Sequence, residues 1–127
     1  MMATRFMATQ ECQIHQNIKQ TLVSAQENNT QLIGKTLHLQ CRGLKNELLE
    51  KIVKIEESGG GYKEMLPLMS GKWAKDAYKT GDVEKGLFTV GQTIGLIEDI
   101  PTMRDLMSGM VVDAKKQLDR VRLSLGN

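Results

Sequence analysis

The sequence predicts a mainly α-helical fold with one short extended segment at its front. Apolar residues recur at three- and four-residue spacing from Leu44 to Ile55 and again from Met103 to Val121, as amphipathic helices require. Period-two alternation is confined to the opening, where Ala3, Arg5 and Met7 would face one way and Met2, Thr4 and Phe6 the other. At 127 residues, 40% hydrophobic and 25% charged, the chain has the make-up of one folded domain able to bury about two thirds of its unfolded surface.

The opening "MMATRFMATQEC" sets Met1, Met2, Phe6, Met7 and Ala8 at the start, and a strand there would need a partner to pair with. Asn17 is expected to cap a helix over residues 18–28, with Ile18, Leu22 and Ala25 on its buried face. From Thr30 to Cys41 the pattern mixes both periods, and Thr36–Cys41 reads equally as a strand or an irregular joint. Leu44, Leu48, Ile52 and Ile55 then line a helix, widened by Leu49 and Val53, with Lys45, Glu50, Lys54 and Glu57 toward water.

The "SGGG" at 58–61 ends that helix and reads as a mobile joint, since a phosphate cradle would need a strand before it and a helix after it. Met65, Leu66, Leu68 and Met69 are expected to pack in a short helix broken near Pro67 or Ser70, followed by a face made of Trp73, Ala77 and Tyr78. In "GDVEKGLFTVGQTIGLIEDIPT", residues 81–102, Leu87, Val90, Ile94 and Ile97 form a helical stripe. Gly91 and Gly95 would lie on nearly one face, which implies close approach of a neighbour. Thr102 and Asp105 have capping-box-like spacing for a last helix of about 20 residues, with Met103, Leu106, Met110, Ala114, Leu118 and Val121 facing inward.

Charge and composition exclude several functions. The 17 basic and 15 acidic residues are interspersed, so no basic stripe offers itself to nucleic acid. Neither a membrane span nor a secretory signal is present in the pattern, which makes the cytoplasm the default location. Cys12 and Cys41 read as free, buried thiols. His15 and His38 have no companions at metal-ligand spacing, and no nucleophile, base and orienter can be assembled from them. No metal ligand or catalytic residue is therefore expected.

Three stretches carry a resemblance: "MATRF" with "ATQEC", "TQLIGKTLHLQCRGLKN", and residues 81–102. The first resembles the strand-eight signature, and the second the arginine-centred helical connector, of the nitronate monooxygenase (2-nitropropane dioxygenase-like) family. The agreement runs along essentially the whole chain and corresponds to the carboxyl-terminal part of the family's sequence. It implies a piece of an FMN-dependent TIM-barrel (β/α)8 enzyme, with residues 1–29 as the last barrel strand and the helix after it. Residues 30–127 would be the helical small domain and a carboxyl-terminal helix returning to the barrel.

By position in that motif, Ala3 stands where the family has a glycine beside the flavin phosphate, and Thr4 where it has a phosphate-contacting threonine. Met2 extends the motif without a side-chain donor. The family's catalytic histidine belongs to an upstream segment, which neither His15 nor His38 matches. Complete relatives would use FMN and oxygen to oxidise a small-molecule alkyl nitronate. A full barrel takes about 250 residues, so the isolated chain is expected to be inactive and to hold no flavin. The other function classes are a non-catalytic structural or partner-binding helical piece and a small flavoenzyme completed by another chain. An exposed front strand would leave self-association open.

Overall fold

The computed structural model describes residues 2–126. The helices are α1 (Ala3–Met7), α2 (Gln16–Ser24), α3 (Glu47–Glu57), α4 (Tyr62–Met65), α5 (Gly71–Thr80) and α6 (Met103–Ser124). Between α2 and α3 lies an antiparallel hairpin of β1 (Thr30–Ile33) and β2 (Cys41–Leu44), paired Thr30 to Leu44 and Ile33 to Cys41. Mainly helical architecture is as the sequence predicts; the hairpin resolves the ambiguous stretch.

The expected front strand is absent, and Met2–Met7 instead enters the short helix α1. A strand leaves its N–H and C=O groups unpaired unless a neighbour supplies partners, whereas a helical turn satisfies them within itself. The second helix also starts earlier and ends sooner than expected. His15, not Asn17, is its cap: the imidazole Nδ1 accepts from the Asn17 N–H at 3.1 Å. It stops at Ala25 because residues 26–29 fold into a turn of their own, in which Asn29 Oδ1 accepts the Gln26 N–H at 2.8 Å.

α3 forms where the apolar spacing places it, beginning at Glu47 because Asn46 caps it by accepting the Leu49 N–H at 2.8 Å. Leu44, placed on this helix by periodicity, belongs to β2. Leu48, Leu49 and Ile52 are buried against Ile33 and Met65 in one core cluster. The glycine segment after α3 is a bonded turn: Gly60 N–H donates to Ile55 O at 2.8 Å and Gly61 N–H to Glu64 at 2.9 Å. In α5, Ala77 is buried as expected, while Trp73 is exposed and its indole donates to Pro67 O at 3.0 Å.

Residues 81–102 overturn the helical expectation. Phe88, Val90, Ile94 and Ile97 are buried, but along an extended chain followed by a 3-10 turn at Gln92–Leu96. The Leu44 N–H donates to Phe88 O and the Val90 N–H to Arg42 O, each at 3.0 Å, so this segment pairs with the outer edge of β2. A helix would have left that edge without partners, and Gly86 and Gly91 already disfavour one. Here the tertiary pairing overrides the periodic pattern. Gly91 also lacks the close neighbour expected for it: an added Cβ would meet only Thr93 and Thr4 oxygens at 3.6 and 3.7 Å. At Gly95 the expected crowding exists, from the Glu27 carboxylate.

Ile18, Leu22, Leu44, Ala77, Phe88, Val90, Ile94 and Ile97 form the other cluster, with Tyr78 and Phe88 rings 5.4 Å apart and tilted by 60°. Asn46 stands between the clusters, its amide donating to Val83 O and Gly86 O at 2.7 Å each. Thr102 caps α6 as the sequence predicts, accepting the Asp105 N–H at 3.1 Å. The inward stripe of α6 does not hold, however. Leu106 is buried, Met103 and Met110 are half-buried, and Ala114, Leu118 and Val121 face solvent because no other element among the described residues reaches them.

Asn46→Ala should destabilise the fold by roughly 3–5 kcal/mol, combining a lost cap with two stranded buried carbonyls; urea unfolding would show the midpoint fall. Glycine substitutions should separate the two environments. Gly43→Ala pushes a Cβ to 2.5 Å from Leu49 Cδ1 and should cost about 1–3 kcal/mol, whereas Gly91→Ala, at φ −79° and ψ 156°, should shift stability by under about 0.5 kcal/mol. Calorimetric melting of both variants checks this contrast.

Glu56 gives a pH signature. Desolvation pushes its carboxyl up, but N–H donors from Thr36, Gly34 and Lys35 and the Thr36 hydroxyl outweigh it and hold the group below the usual glutamate range. A depressed carboxylate contributes stability above its unfolded pKa of about 4.3, and that contribution is lost as pH falls through the folded value. Glu56→Gln should therefore be less stable than the parent at pH 7, and the difference should close below the ordinary glutamate pKa in denaturant titrations.

Candidate functional site

The residues singled out by position, Met2, Ala3 and Thr4, lie at the start of α1. Met2 and Ala3 are exposed and Thr4 is half-buried. Ala3 has a negative φ, so its methyl group causes no backbone strain. Thr4 Oγ1 accepts the Gly91 N–H at 2.9 Å. That bond ties the front of the chain to the turn at 92–96 and leaves the hydroxyl proton available to another acceptor.

The flanking groups are committed to the fold. Arg5 donates to the Asp99 backbone carbonyl at 2.9 Å and to its carboxylate. The Thr9 hydroxyl is buried and donates to Phe6 O at 2.8 Å. Glu11 receives the Met103 N–H on both carboxylate oxygens, at 2.8 and 3.0 Å, where negative charge is favourable at the amino end of α6. Lys19 is only 5% exposed and donates to Gln10 O at 3.0 Å. Periodicity could have found this buried cation, since Lys19 adjoins Ile18 on the inward side of α2; the Arg5–Asp99 and Thr4–Gly91 pairs span too much sequence to be read from it.

Two open clefts flank this region. One, of about 500 Å³, is lined by Gln10, Gln16, Lys19, Gln20, Val23 and residues 98–100. The other, of about 590 Å³, lies along the first turns of α6 and includes Arg5, Leu96, Glu98, Asp99, Asp105, Leu106, Met110 and Asp113. Neither includes Met2, Ala3 or Thr4.

The fit of a flavin phosphate to these three residues is poor. A dianion needs several converging donors to replace its hydration, yet the segment presents one hydroxyl, two side chains without donors and an arginine already engaged by Asp99. Among the described residues, no group of three His, Cys, Asp or Glu side chains could hold a metal ion. His15 is used as a helix cap, and His38 sits exposed in the hairpin loop with φ 54°. Cys12 and Cys41 are unpaired and half-buried, and burial pushes the Cys41 thiol up, with the Glu56 charge adding to it. No helix among the described residues is long and apolar enough to cross a membrane.

Comparison with solved structures finds FabK from Thermotoga maritima, at 27% identity and a TM-score of 0.80, over 94% of this chain and 37% of that one. The M276A mutant of the same protein matches at 26% identity and a TM-score of 0.76, over 94% and 35%. A (3aS,4S,5R,7aS)-5-hydroxy-7a-methyl-1-oxo-octahydro-1H-indene-4-carboxyl-CoA dehydrogenase from Rhodococcus jostii (strain RHA1) is 25% identical over 93% of this chain and 44% of its own length. The chain thus spans less than half the length of each of these relatives. The nitronate monooxygenase family model matches residues 1–113. That match covers most of the sequence, and the chain belongs to the nitronate monooxygenase family, a family of flavin-dependent oxidoreductases.

Proposed function

We propose that this chain is the carboxyl-terminal part of an FMN-dependent TIM-barrel oxidoreductase that oxidises alkyl nitronates with oxygen, and that the chain by itself is a scaffold without turnover. The family match over residues 1–113 carries the first half of this reading. The second half is supported by the chain's share of its relatives, 35–44%, and by the donor-poor segment Met2–Thr4. In the complete protein, residues 1–29 would join the barrel, and residues 30–127 would form the helical small domain and a carboxyl-terminal helix returning to the barrel.

FMN would supply the redox chemistry when bound. This chain's contribution to holding it would be the Thr4 hydroxyl, as a donor to a phosphate oxygen, with Met2 and Ala3 shaping the backbone around it. The bond from Gly91 N–H to Thr4 Oγ1 would fix where that hydroxyl sits. Arg5, locked on Asp99, would hold the same turn to the stretch before α6. A soluble, cytoplasmic enzyme acting on a small molecule is the setting this reading implies.

Flavin fluorescence titration of the purified 127-residue chain, paired with nitrite release from an alkyl nitronate under air, tests the reading. The expected result is no saturable binding below about 10 μM, because one hydroxyl cannot offset phosphate desolvation, and no nitrite above the protein-free rate. One-to-one binding tighter than that, with turnover that follows the protein peak and is lost in Thr4→Val, would overturn the scaffold half. An upstream coding sequence that encodes no barrel strands would overturn the placement of this chain at the carboxyl end of a barrel.

A further inference from the structure

We propose that residues 34–40, the loop joining β1 to β2, are latched by the single carboxylate of Glu56, and that protonating this carboxylate opens the loop as a unit while the rest of the fold stays packed. The Gly34 N–H donates to Glu56 Oε2 at 3.1 Å, and the Thr36 N–H and hydroxyl donate to Oε1 at 2.9 and 3.2 Å. The Lys35 N–H between them is directed at the same carboxylate. Consecutive amides that converge on one anion form a backbone nest. Here the anion comes from α3 of the same chain.

The loop depends on that anion because its own backbone bonds, His38 N–H to Lys35 O at 3.2 Å and Leu39 N–H to Gly34 O at 3.1 Å, tie it only to itself. Its conformation is also unfavourable locally. His38 has φ 54°, a left-handed backbone that strains a residue with a Cβ. Gly34, at φ 75°, avoids that strain, and an added Cβ there would meet Leu39 O at 2.5 Å. Leu39 is 53% exposed, and Leu37 packs against the cluster of Ile33, Leu49 and Met65.

Glu56 and Glu57 both lie in the last turn of α3, where the helix carbonyls disfavour negative charge. From the helix alone, neutralising either would be favourable; the nest reverses the sign at Glu56. Around it, Lys35 and Glu57 line an open cleft of about 220 Å³, to which β1 adds the uncharged Gln31 and Leu32. His38 is exposed on the loop, and the Cys41 thiol on β2 is pushed up by burial and by the Glu56 charge. α4 brings the buried Met65, while its Glu64 accepts the Gly61 N–H. Desolvation raises the Glu56 carboxyl and the nest outweighs it, so the latch is closed above the ordinary glutamate range and is lost as pH falls through the lowered value.

Hydrogen exchange of the full chain, read amide by amide by NMR and corrected for intrinsic rates, tests this. Glu56→Gln, which turns an NH2 donor toward the nest, should lower protection of the Gly34, Thr36 and Leu39 amides roughly tenfold or more at neutral pH, with Leu44 and Ile52 within about twofold. Glu57→Gln should leave all five amides within about twofold. In the parent, protection in the loop should fall between about pH 5 and pH 3, ahead of that of Ile52. This early fall should be absent in Glu56→Gln and retained in His38→Asn, which keeps a residue at ease in the left-handed region. Unchanged loop protection in Glu56→Gln, an equal loss at Ile52, an acid response that survives Glu56→Gln, or one that disappears in His38→Asn would each overturn the proposal.

Discussion

Asn46 is the residue on which the arrangement turns. It is 7% exposed and uses its whole side-chain amide: the oxygen accepts the Leu49 N–H that opens α3, and the nitrogen donates to Val83 O and Gly86 O. One side chain thus starts a helix and fixes the path of a loop nearly forty residues later. Because that loop is held there, Phe88 and Val90 arrive beside β2 with their backbones aligned to pair with it. An aspartate could cap the helix but could not donate to the two carbonyls, so the geometry requires an amide.

The hairpin is the partition between the two apolar clusters. Leu44 belongs to the cluster with Phe88 and Ile18, while Ile33, on the neighbouring strand, packs with Leu49 and Met65. Gly43, between them, has a Cβ position already filled by Leu49. An isolated two-stranded ribbon is marginal in water; this one is braced by the 88–90 segment on the outer edge of β2 and by Glu56 at the loop that joins its strands. Local pairing and distant packing depend on each other here.

What could be read from sequence follows from how local each cause is. α3 and α6 were legible because their spacing and caps lie within one helix; Thr102 and Asp105 are three residues apart and bond as that spacing implies. Residues 81–102 were misread although most of the apolar positions were right: Val90, Ile94 and Ile97 are buried. Periodicity identified what is hidden but not the backbone shape that hides it, since the deciding hydrogen bonds come from β2. Met2–Met7 failed for the converse reason, six residues fitting either period with no sheet edge to decide. Of the site, Thr4 was visible only through family resemblance, and its bond to Gly91 spans 87 residues. The exposed stripe of α6 was read as core because amphipathicity specifies a face and not what covers it.

The attachment of α6 has a mechanical consequence. The helix is 22 residues long, about 33 Å at 1.5 Å per residue, and among the described residues it is anchored at its amino end, where Glu11 grips the Met103 amide and Thr102 closes the first turn. A rigid rod fixed at its root magnifies small rotations: a tilt of about 10° there sweeps the far end through roughly 6 Å over that length. Glu11 follows directly on the stretch that carries Thr4 and Arg5. A sub-ångström adjustment at the front of the chain would thereby be geared up into a displacement as wide as a helical turn at Leu123.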